Sequence, residues 1–259
     1  MSDAVRFAFA GDRDIAVWVL EHLLKEGFRP QALLLRAARR ASHAERLAKL
    51  CSFLPDKQVL HGKSFRKDAG LKTLGALELD YIVGVHFPYI VPQEVLDVPR
   101  LGVLNLHPAF LPYNRGWHTP SWAILEGTPI GATLHYMDAG IDTGDIVMQQ
   151  TIDVRPDDTA DKLYGRVKQL ELEVFRKAWP LLASRTAPRT PQRTDDGSAH
   201  VKEELLDPKT RRIDLDGELR AGELIRKLRA HTTNDPAEAA FFEQDGKRYR
   251  VRVEIEEEI

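Results

Sequence analysis

The sequence feature that most constrains the fold is GVLNLHP, residues 102–108. It is an apolar run interrupted by Asn105 and His107, and it predicts a buried strand that ends before Pro108, because proline cannot continue a central ladder. Residues i and i+2 of a strand point to the same face, so the two polar side chains project together. We therefore expect this pair at the carboxyl end of a strand, where open α/β sheets carry their chemistry.

A third polar residue lies further along the chain. After the turn-rich segment LPYNRGW, Thr119 is a predicted helix cap and Pro120 the predicted first helical residue, with the helix ending at Gly127. A second strand, GATLHYM, leads into DAGIDTGD, whose glycine and aspartate content indicates a loop. We therefore expect Asp142, on this loop, to face the polar pair of the first strand. Taken alone, a histidine in an apolar strand is more often a hydrogen-bonded core residue, so the prediction depends on the surrounding loop, helix and strand signals.

The first third of the chain predicts a parallel sheet. VRFAFAG and PQALLLR are candidate strands, and between them lies the amphipathic segment IAVWVLEHLLKEGF, with Asp14 as its predicted cap and Gly27 at its end. This order indicates a right-handed βαβ unit, and LDYIVGVHF is apolar enough for a strand covered on both faces. The turn after the first strand lacks the G-x-G-x-x-G fingerprint, which argues against a nicotinamide or flavin cofactor.

A long amphipathic helix follows the aspartate loop. Apolar residues recur at three- and four-residue steps over residues 163–178, which predicts a helix covering the sheet. Asp158 or Thr159 is its predicted cap, and Pro180 its predicted end.

The composition changes at about Ser184. SRTAPRTPQRTDDGS predicts a linker, LRAGELIRKLRA a short helix, and the last residues a β-hairpin with Asp245-Gly246 as its two-residue turn. We therefore predict one domain over residues 1–183 and a small C-terminal α+β segment over 184–259. A lone hairpin is marginal in water, so it must dock on the main domain or on a second subunit.

Composition argues against several classes of protein. The formal net charge of −2 lacks the basic excess of a dedicated nucleic-acid binder, and RAARR (residues 36–40) is either a local anion site or a solvated face. The one cysteine, Cys51, rules out an intramolecular disulfide, and we interpret it as a buried helix residue. No apolar run approaches the roughly 18 residues of a membrane span, and the first residues lack the apolar core of a signal peptide. We therefore expect a soluble, cytoplasmic protein.

The motifs N-x-H-P, LP-x-x-RG and G-x-D-x-G-D-I resemble the active-site segment of the folate-dependent formyltransferases. The versions HPAFLPYNRGWHTPSWAI and GATLHYMDAGIDTGDIV are most similar to the branch that formylates nucleotide-linked amino sugars. The resemblance implies a Rossmann-like, parallel-rich α/β sheet flanked by helices. It also implies 10-formyltetrahydrofolate as the formyl donor and makes a homodimer contact through the C-terminal hairpin plausible.

The resemblance further implies which loops bind the folate, and the loop that leaves the Asn105 strand is the candidate for the acceptor. The residues it suggests for the cofactor are Phe87, Tyr89, Ile90, Asp138, Gly140 and Asp142. Those of the loop after the first strand, which are candidates for acceptor binding, are Tyr113, Asn114, Arg115, Trp117 and His118. Tyrosine and tryptophan can stack on a sugar or base, and Arg115 can pair with a phosphate. Alternatively these are ordinary loop residues, and Arg115 ties down the backbone of a turn.

Formyl transfer to an amine can be built from three of these residues. His107 can accept the amine proton or donate to the carbonyl oxygen, and Asn105 carries an NH2 donor suited to an oxyanion. Asp142 can orient the imidazole, stabilise its charged form and pass protons through a water; the alternative for Asp142 and Asp145 is loop capping, which we assign mainly to Asp145. Paired aspartates can also suggest a metal, but no His/Cys ligand spacing accompanies them, so we expect none.

The predicted acceptor is a nucleotide-linked amino sugar, and other acceptors stay open. They are a free amino sugar, an amino acid derivative or methionyl-tRNA, the last weakened by the near-neutral charge and the short C-terminal segment. A folate- or nucleotide-binding protein without turnover is the alternative from another class.

Overall fold

The computed structural model describes residues 4–37 and 42–258, so Ala38, Arg39 and Arg40 of the RAARR cluster lie outside the described residues. The strands are β1 (Phe7–Gly11), β2 (Ala32–Leu35), β3 (Val59–His61), β4 (Tyr81–Val85), β5 (Gly102–His107), β6 (Arg115–Gly116), β7 (Ile130–Tyr136), β8 (Ile146–Ile152), β9 (Ala199–His200), β10 (Ala240–Gln244) and β11 (Lys247–Val251). The helices are α1 (Arg13–Lys25), α2 (Ala44–Leu50), α3 (Asp68–Gly75), α4 (Gln93–Leu96), α5 (Thr119–Glu126), α6 (Ala160–Ala183), α7 (Pro208–Arg211) and α8 (Ala221–Ala230).

A seven-stranded sheet organises the fold. Its strand order is β3-β2-β1-β4-β5-β7-β8; the strands from β3 to β5 are parallel, and β7 runs antiparallel to β5. Every residue of β1, β2 and β4 is buried, as is typical of parallel strands covered on both faces. The predicted parallel-rich α/β fold with a C-terminal hairpin is confirmed.

The chain divides into two compact units whose segments alternate along the sequence. The first comprises Met1–His107, Thr133–Gln149 and Glu171–Gln192, and the second comprises Pro108–Ala132, Gln150–Leu170 and Arg193–Ile259. In this division, parts of α6 and of the segment after β5 group with the C-terminal residues. The domain boundary at residue 184 stays a prediction.

In the first unit, Asp80 ties down the start of β4. Its side chain is 1% exposed and accepts hydrogen bonds from the backbone N–H of Arg6 at 2.9 Å, Arg100 Nη2 at 2.6 Å and Arg185 Nη2 at 2.9 Å. Burial acts to raise the pKa of Asp80, but the bonds from Arg185, Arg6 and Arg100 outweigh it and hold the pKa below its usual range. The carboxylate therefore fixes the entry of β4 as a charged group.

The second unit contains the predicted hairpin and its own apolar cluster. Asp245 and Gly246 have φ of 52° and 70°, the left-handed values that a type I′ turn requires, and Gln244 pairs with Lys247 across it. The hairpin prediction is confirmed. The cluster consists of Ala123, Ile124, Ile130, Ala160, Leu163, Val167 and Ala230.

The start of α5, predicted at Pro120, and the end of α6, predicted at Pro180, lie elsewhere in the structure. Thr119 is the first residue of α5 and its hydroxyl donates to the Pro108 carbonyl at 2.5 Å, so it does not cap the helix; His118 precedes it. α6 continues through Pro180 to Ala183. The burial of Trp179 and Leu182 around the proline stabilises the last turn by more than the loss of one backbone hydrogen bond destabilises it. Thr159 caps α6 as predicted, by accepting from the Lys162 N–H at 3.3 Å.

Three further elements refine the prediction. The prediction that Asp14 caps α1 is wrong, because Asp14 lies in the first turn of the helix and the residue before the helix is Asp12. Cys51 is buried directly after α2, and burial raises the pKa of its thiol to about 12. Strand β8 had no counterpart in the prediction. Within the described ranges, no helix is both long and apolar enough to cross a membrane.

Candidate active site

The predicted polar pair lies on β5, inside the first unit. Asn105 and His107 occupy alternate positions of this strand, and the antiparallel register sets His135 of β7 opposite Asn105 and Thr133 opposite His107. His107 is 6% exposed and Thr133 is fully buried. The strand ends at His107, as the following proline predicted.

Asp142 lies on the loop between β7 and β8, and two side chains fix that loop. Asp138 Oδ1 accepts from the Gly140 N–H at 3.0 Å and from Thr143 Oγ1 at 2.6 Å. Gln192 Nε2 donates to the Asp142 carbonyl oxygen at 3.1 Å and also to that of Gly144. Asp142 has a φ of 51°, a left-handed conformation that Asp and Asn tolerate better than most residues. The loop therefore presents the Asp142 carboxylate in a defined place.

The Asp142 carboxylate bridges the two polar side chains of β5. Asn105 Nδ2 donates to Oδ1 at 3.2 Å, and His107 Nε2 lies 3.5 Å from Oδ2. The Asp142 side chain is 13% exposed, so this contact is largely shielded from water. The structure thus brings together the three residues predicted from the sequence. At 3.5 Å, the contact between His107 and Asp142 is an electrostatic one, longer than an ordinary hydrogen bond.

His135 is a fourth member of this cluster that the sequence analysis missed. Its Nδ1 faces the Tyr136 carbonyl oxygen at 2.8 Å and must therefore carry a proton. Its Nε2 lies 3.3 Å from Asn105 Nδ2 and 3.5 Å from Asp142 Oδ1. With the proton on Nδ1, Nε2 of the neutral ring accepts from Asn105. The sequence GATLHYM does show a second histidine in an apolar strand. The pairing of that histidine with Asn105, however, depends on the strand register, which the sequence does not show.

Asp145, three residues beyond Asp142, has a different environment. It lies 3.9 Å from Arg189 Nη1 with its side chain 37% exposed, and Asp138 rather than Asp145 makes the side-chain bonds that close the loop. Among the described residues, no group of three or more His, Cys, Asp or Glu side chains is arranged to hold a metal ion.

The residues predicted to bind the cofactor lie in the first unit. Phe87 and Tyr89 pack with Phe65, with centroid distances of 5.3 Å between Phe65 and Phe87 and 5.2 Å between Phe87 and Tyr89. Tyr89 Oη also accepts from the Ala37 N–H at 3.1 Å. Ile90 is 84% exposed, which leaves a large apolar side chain in water. The aromatic loop is thus anchored at its first half and open at Ile90, and its cofactor role stays a prediction.

The residues predicted to bind the acceptor lie in the second unit. Asn114 is fully buried and donates to Thr128 Oγ1 at 2.8 Å, while the Arg115 N–H and Nε donate to the Ser198 carbonyl at 2.9 Å and 3.5 Å. These bonds fit the structural alternative, in which both residues hold the loop.

The rest of that loop is more accessible. Trp117 is 44% exposed with Lys202 Nζ at 5.3 Å from its ring, and His118 Nδ1 lies 3.6 Å from Glu238 Oε1. Tyr113 is half-buried, and its N–H donates to the Phe110 carbonyl. Acceptor binding by this loop stays a prediction.

Comparison with known proteins gives matches along most of the chain. The family model described as "Formyl transferase" matches residues 29–179, and "N-formyltransferase dimerization C-terminal domain" matches residues 208–257. The methionyl-tRNA formyltransferase of Syntrophus aciditrophicus is 32% identical over 193 residues, which are 73% of this chain and 62% of that protein. The match thus spans about three fifths of that relative's length.

Solved structures share the fold over more of their length. A sugar N-formyltransferase from a Shewanella species is 20% identical with a TM-score of 0.82, covering 98% of this chain and 99% of that one. An N-formyltransferase from Helicobacter canadensis, solved with folinic acid and dTDP-3-aminofucose, is 21% identical with a TM-score of 0.61, covering 88% and 81% of the two chains.

Proposed function

Because the chain belongs to the formyl transferase family, we propose that it transfers a formyl group from 10-formyltetrahydrofolate to the amine of a nucleotide-linked amino sugar. The observation that carries the proposal is the Asp142 carboxylate, which contacts Asn105 at 3.2 Å and His107 at 3.5 Å. These three groups supply what formyl transfer requires, namely an oxyanion donor, a proton acceptor and a carboxylate that stabilises its charged form.

The reaction begins when the amine nitrogen of the acceptor attacks the formyl carbon on N10 of the folate. A C–N bond forms and the carbonyl oxygen becomes an oxyanion. Both N–H groups of Asn105 have partners in this structure, at 3.2 Å to Asp142 and 3.3 Å to His135. The contact to His135 is the longer of the two, so we assign this N–H to the oxyanion. One such donor lowers the activation free energy by roughly 2.7–4 kcal/mol.

His107 handles the proton. It accepts the proton that the attacking amine loses, and the Asp142 carboxylate stabilises the resulting imidazolium. The oxyanion then collapses, the bond from the formyl carbon to N10 breaks, and the proton passes to N10, directly or through Asp142 and a water. The products are the formamide and tetrahydrofolate.

On the donor side, the loop of Phe87, Tyr89 and Ile90 is the proposed pterin site, with the Asp142 loop. The ring of Phe87 packs against those of Phe65 and Tyr89 and so helps to restrain the backbone of this loop, which suits recognition through backbone groups. The Helicobacter structure was solved with folinic acid, a related folate.

Two observations support a nucleotide sugar as the acceptor. Solved structures of similar fold include an enzyme described as a sugar N-formyltransferase, and one structure holds dTDP-3-aminofucose. The net charge of −2 does not favour a polyanion such as tRNA, whose binding depends on neutralising many phosphates. Methionyl-tRNA is the second candidate acceptor, because the relative from Syntrophus is described as a methionyl-tRNA formyltransferase.

We further propose a homodimer through the C-terminal residues. Residues 208–257 match a family model described as a dimerization domain. Within this segment several large apolar side chains are half exposed, namely Leu215 (56%), Leu219 (47%), Ile225 (49%) and Tyr249 (44%). These side chains are therefore accessible to a second copy of the chain, and the family description is the main support for the dimer.

The test is formyl transfer from 10-formyltetrahydrofolate, followed by folate absorbance, against a panel of amines. The panel holds dTDP- and UDP-linked amino sugars, a free amino sugar, an amino acid derivative and methionyl-tRNA, with His107→Asn as the control. Turnover on one nucleotide sugar that is lost in the control supports the proposal. Turnover on methionyl-tRNA alone replaces the acceptor, and folate binding without turnover on any amine replaces the enzyme with a binding protein.

A further inference from the structure

His86 follows β4 directly and has an unusual backbone. Its φ is 49°, in the left-handed region that non-glycine residues seldom adopt. Such a conformation persists only where the surroundings hold it, and it tends to occur at functional sites. The chain therefore changes direction at His86 under an imposed constraint.

The surroundings that hold His86 include a buried ionisable partner. Its Nε2 lies 2.7 Å from Glu171 Oε1, with side-chain exposures of 7% for His86 and 0% for Glu171 on α6. Taking a carboxylate out of water is costly, and apolar residues of similar volume commonly replace a buried ion pair with no loss of stability. Fold stability alone is thus a weak reason for this pair.

Its position in the sheet connects two parts of the site. In the parallel register, Val85 of β4 pairs with Leu106 of β5. His86 and His107 are the residues that follow this pair along the two strands. The residues after His86 enter the aromatic cluster, beginning with Phe87, whose ring is 5.3 Å from that of Phe65. The bend at His86 therefore sets the direction in which residues 87–91 leave β4 beside β5.

We propose that His86 and Glu171 form a positioning pair for the folate donor. The hydrogen bond fixes the left-handed turn after β4 and thereby holds residues 87–91 in the shape that accepts the pterin. The inference rests on the proposed function, because it assumes that this loop binds folate. Neither residue is assigned contact with the reacting atoms.

The experiment measures folate affinity separately from stability. 5-Formyltetrahydrofolate serves as the probe in a calorimetric titration, and kcat and KM for 10-formyltetrahydrofolate are measured with the acceptor found above. The test variant is His86→Asn with Glu171→Leu, in which asparagine still tolerates the left-handed turn and leucine fills the buried space without a charge. Glu171→Gln is the conservative variant, since its amide oxygen can still accept from Nε2. Asp80→Asn, at the other end of β4, is the control for general destabilisation.

We expect the double variant to raise both Kd and the folate KM about tenfold, with kcat changed less than about threefold, because a loop that must be ordered on binding lowers affinity. Glu171→Gln should stay within about threefold of wild type, and Asp80→Asn should lower the melting temperature without raising Kd. An unchanged Kd in the double variant overturns the inference, as does an equal rise in Asp80→Asn. Failure of the wild-type protein to bind the probe overturns the proposed function first, and the inference with it.

Discussion

Replacing Asp142 by asparagine removes one negative charge from the centre of the site and little else. Asparagine is close in size and also tolerates the φ of 51° at this position, so the loop backbone should be retained. The new amide oxygen can still accept from Asn105, as the carboxylate does at 3.2 Å, but a neutral NH2 group then replaces the charged oxygen that lies 3.5 Å from His107 Nε2. The amide cannot stabilise an imidazolium electrostatically.

The magnitude follows from the loss of the charge. An interaction with a charged group contributes about 1.5–3 kcal/mol, and Asp142→Asn removes that charge from the His107 contact while an amide oxygen stays available to Asn105. The loss of about 1.5–3 kcal/mol, at ~1.4 kcal/mol per decade, lowers kcat roughly 10–10²-fold.

The assay is kcat at saturating folate and acceptor, together with the melting temperature of each variant. The matched control is Asp145→Asn, on the same loop but paired at 3.9 Å with Arg189 and 37% exposed. We expect the control to keep kcat within about threefold, since exposed ion pairs contribute little. A kcat of Asp142→Asn within about threefold of wild type would show that the carboxylate does not support the reaction, and the mechanism would need another base.

Three further predictions follow from other contacts. Gln192→Leu removes the two bonds to the Asp142 loop, so kcat should fall about tenfold with a melting temperature close to wild type; an unchanged kcat would show that the loop holds itself. Burial lowers the pKa of His231 to about 4, so below pH 6.5 the unfolded chain gains a proton that the folded chain does not; the free energy of unfolding in urea should drop by about 2 kcal/mol from pH 7 to pH 5, and a flat profile would contradict this. Ile225→Glu places a charge on the proposed dimer surface, so light scattering should report a monomer where the wild type is a dimer, with Phe53→Glu, 40% exposed in the first unit, as the control.

The sequence predicted the elements whose local signals agree with their tertiary environment. β5 ends before proline as expected, and Asp245-Gly246 forms its turn because both residues adopt the positive φ that the hairpin needs. The faces of Asn105 and His107 followed from the two-residue period of a strand. Asp142 was expected opposite them from loop composition alone, and the structure places it there.

Other features depend on contacts that no local signal contains. Threonine commonly caps helices, but the Thr119 hydroxyl donates to the Pro108 carbonyl eleven residues earlier. Proline commonly marks a helix end, but buried neighbours of Pro180 stabilise α6 as far as Ala183. His135 joins the site only through the register between β5 and β7, which is set by the folded sheet.

The alternation of the two units along the chain has a consequence for how the protein is made and cut. The polypeptide passes from one unit to the other after residues 107, 132, 149, 170 and 192. A ribosome must therefore synthesise the chain through residue 192 before the first unit has all of its segments, and further still before the second does. For the same reason, no single proteolytic cut releases either unit whole. A chimaera that takes one unit from a relative therefore cannot be made by joining two fragments end to end.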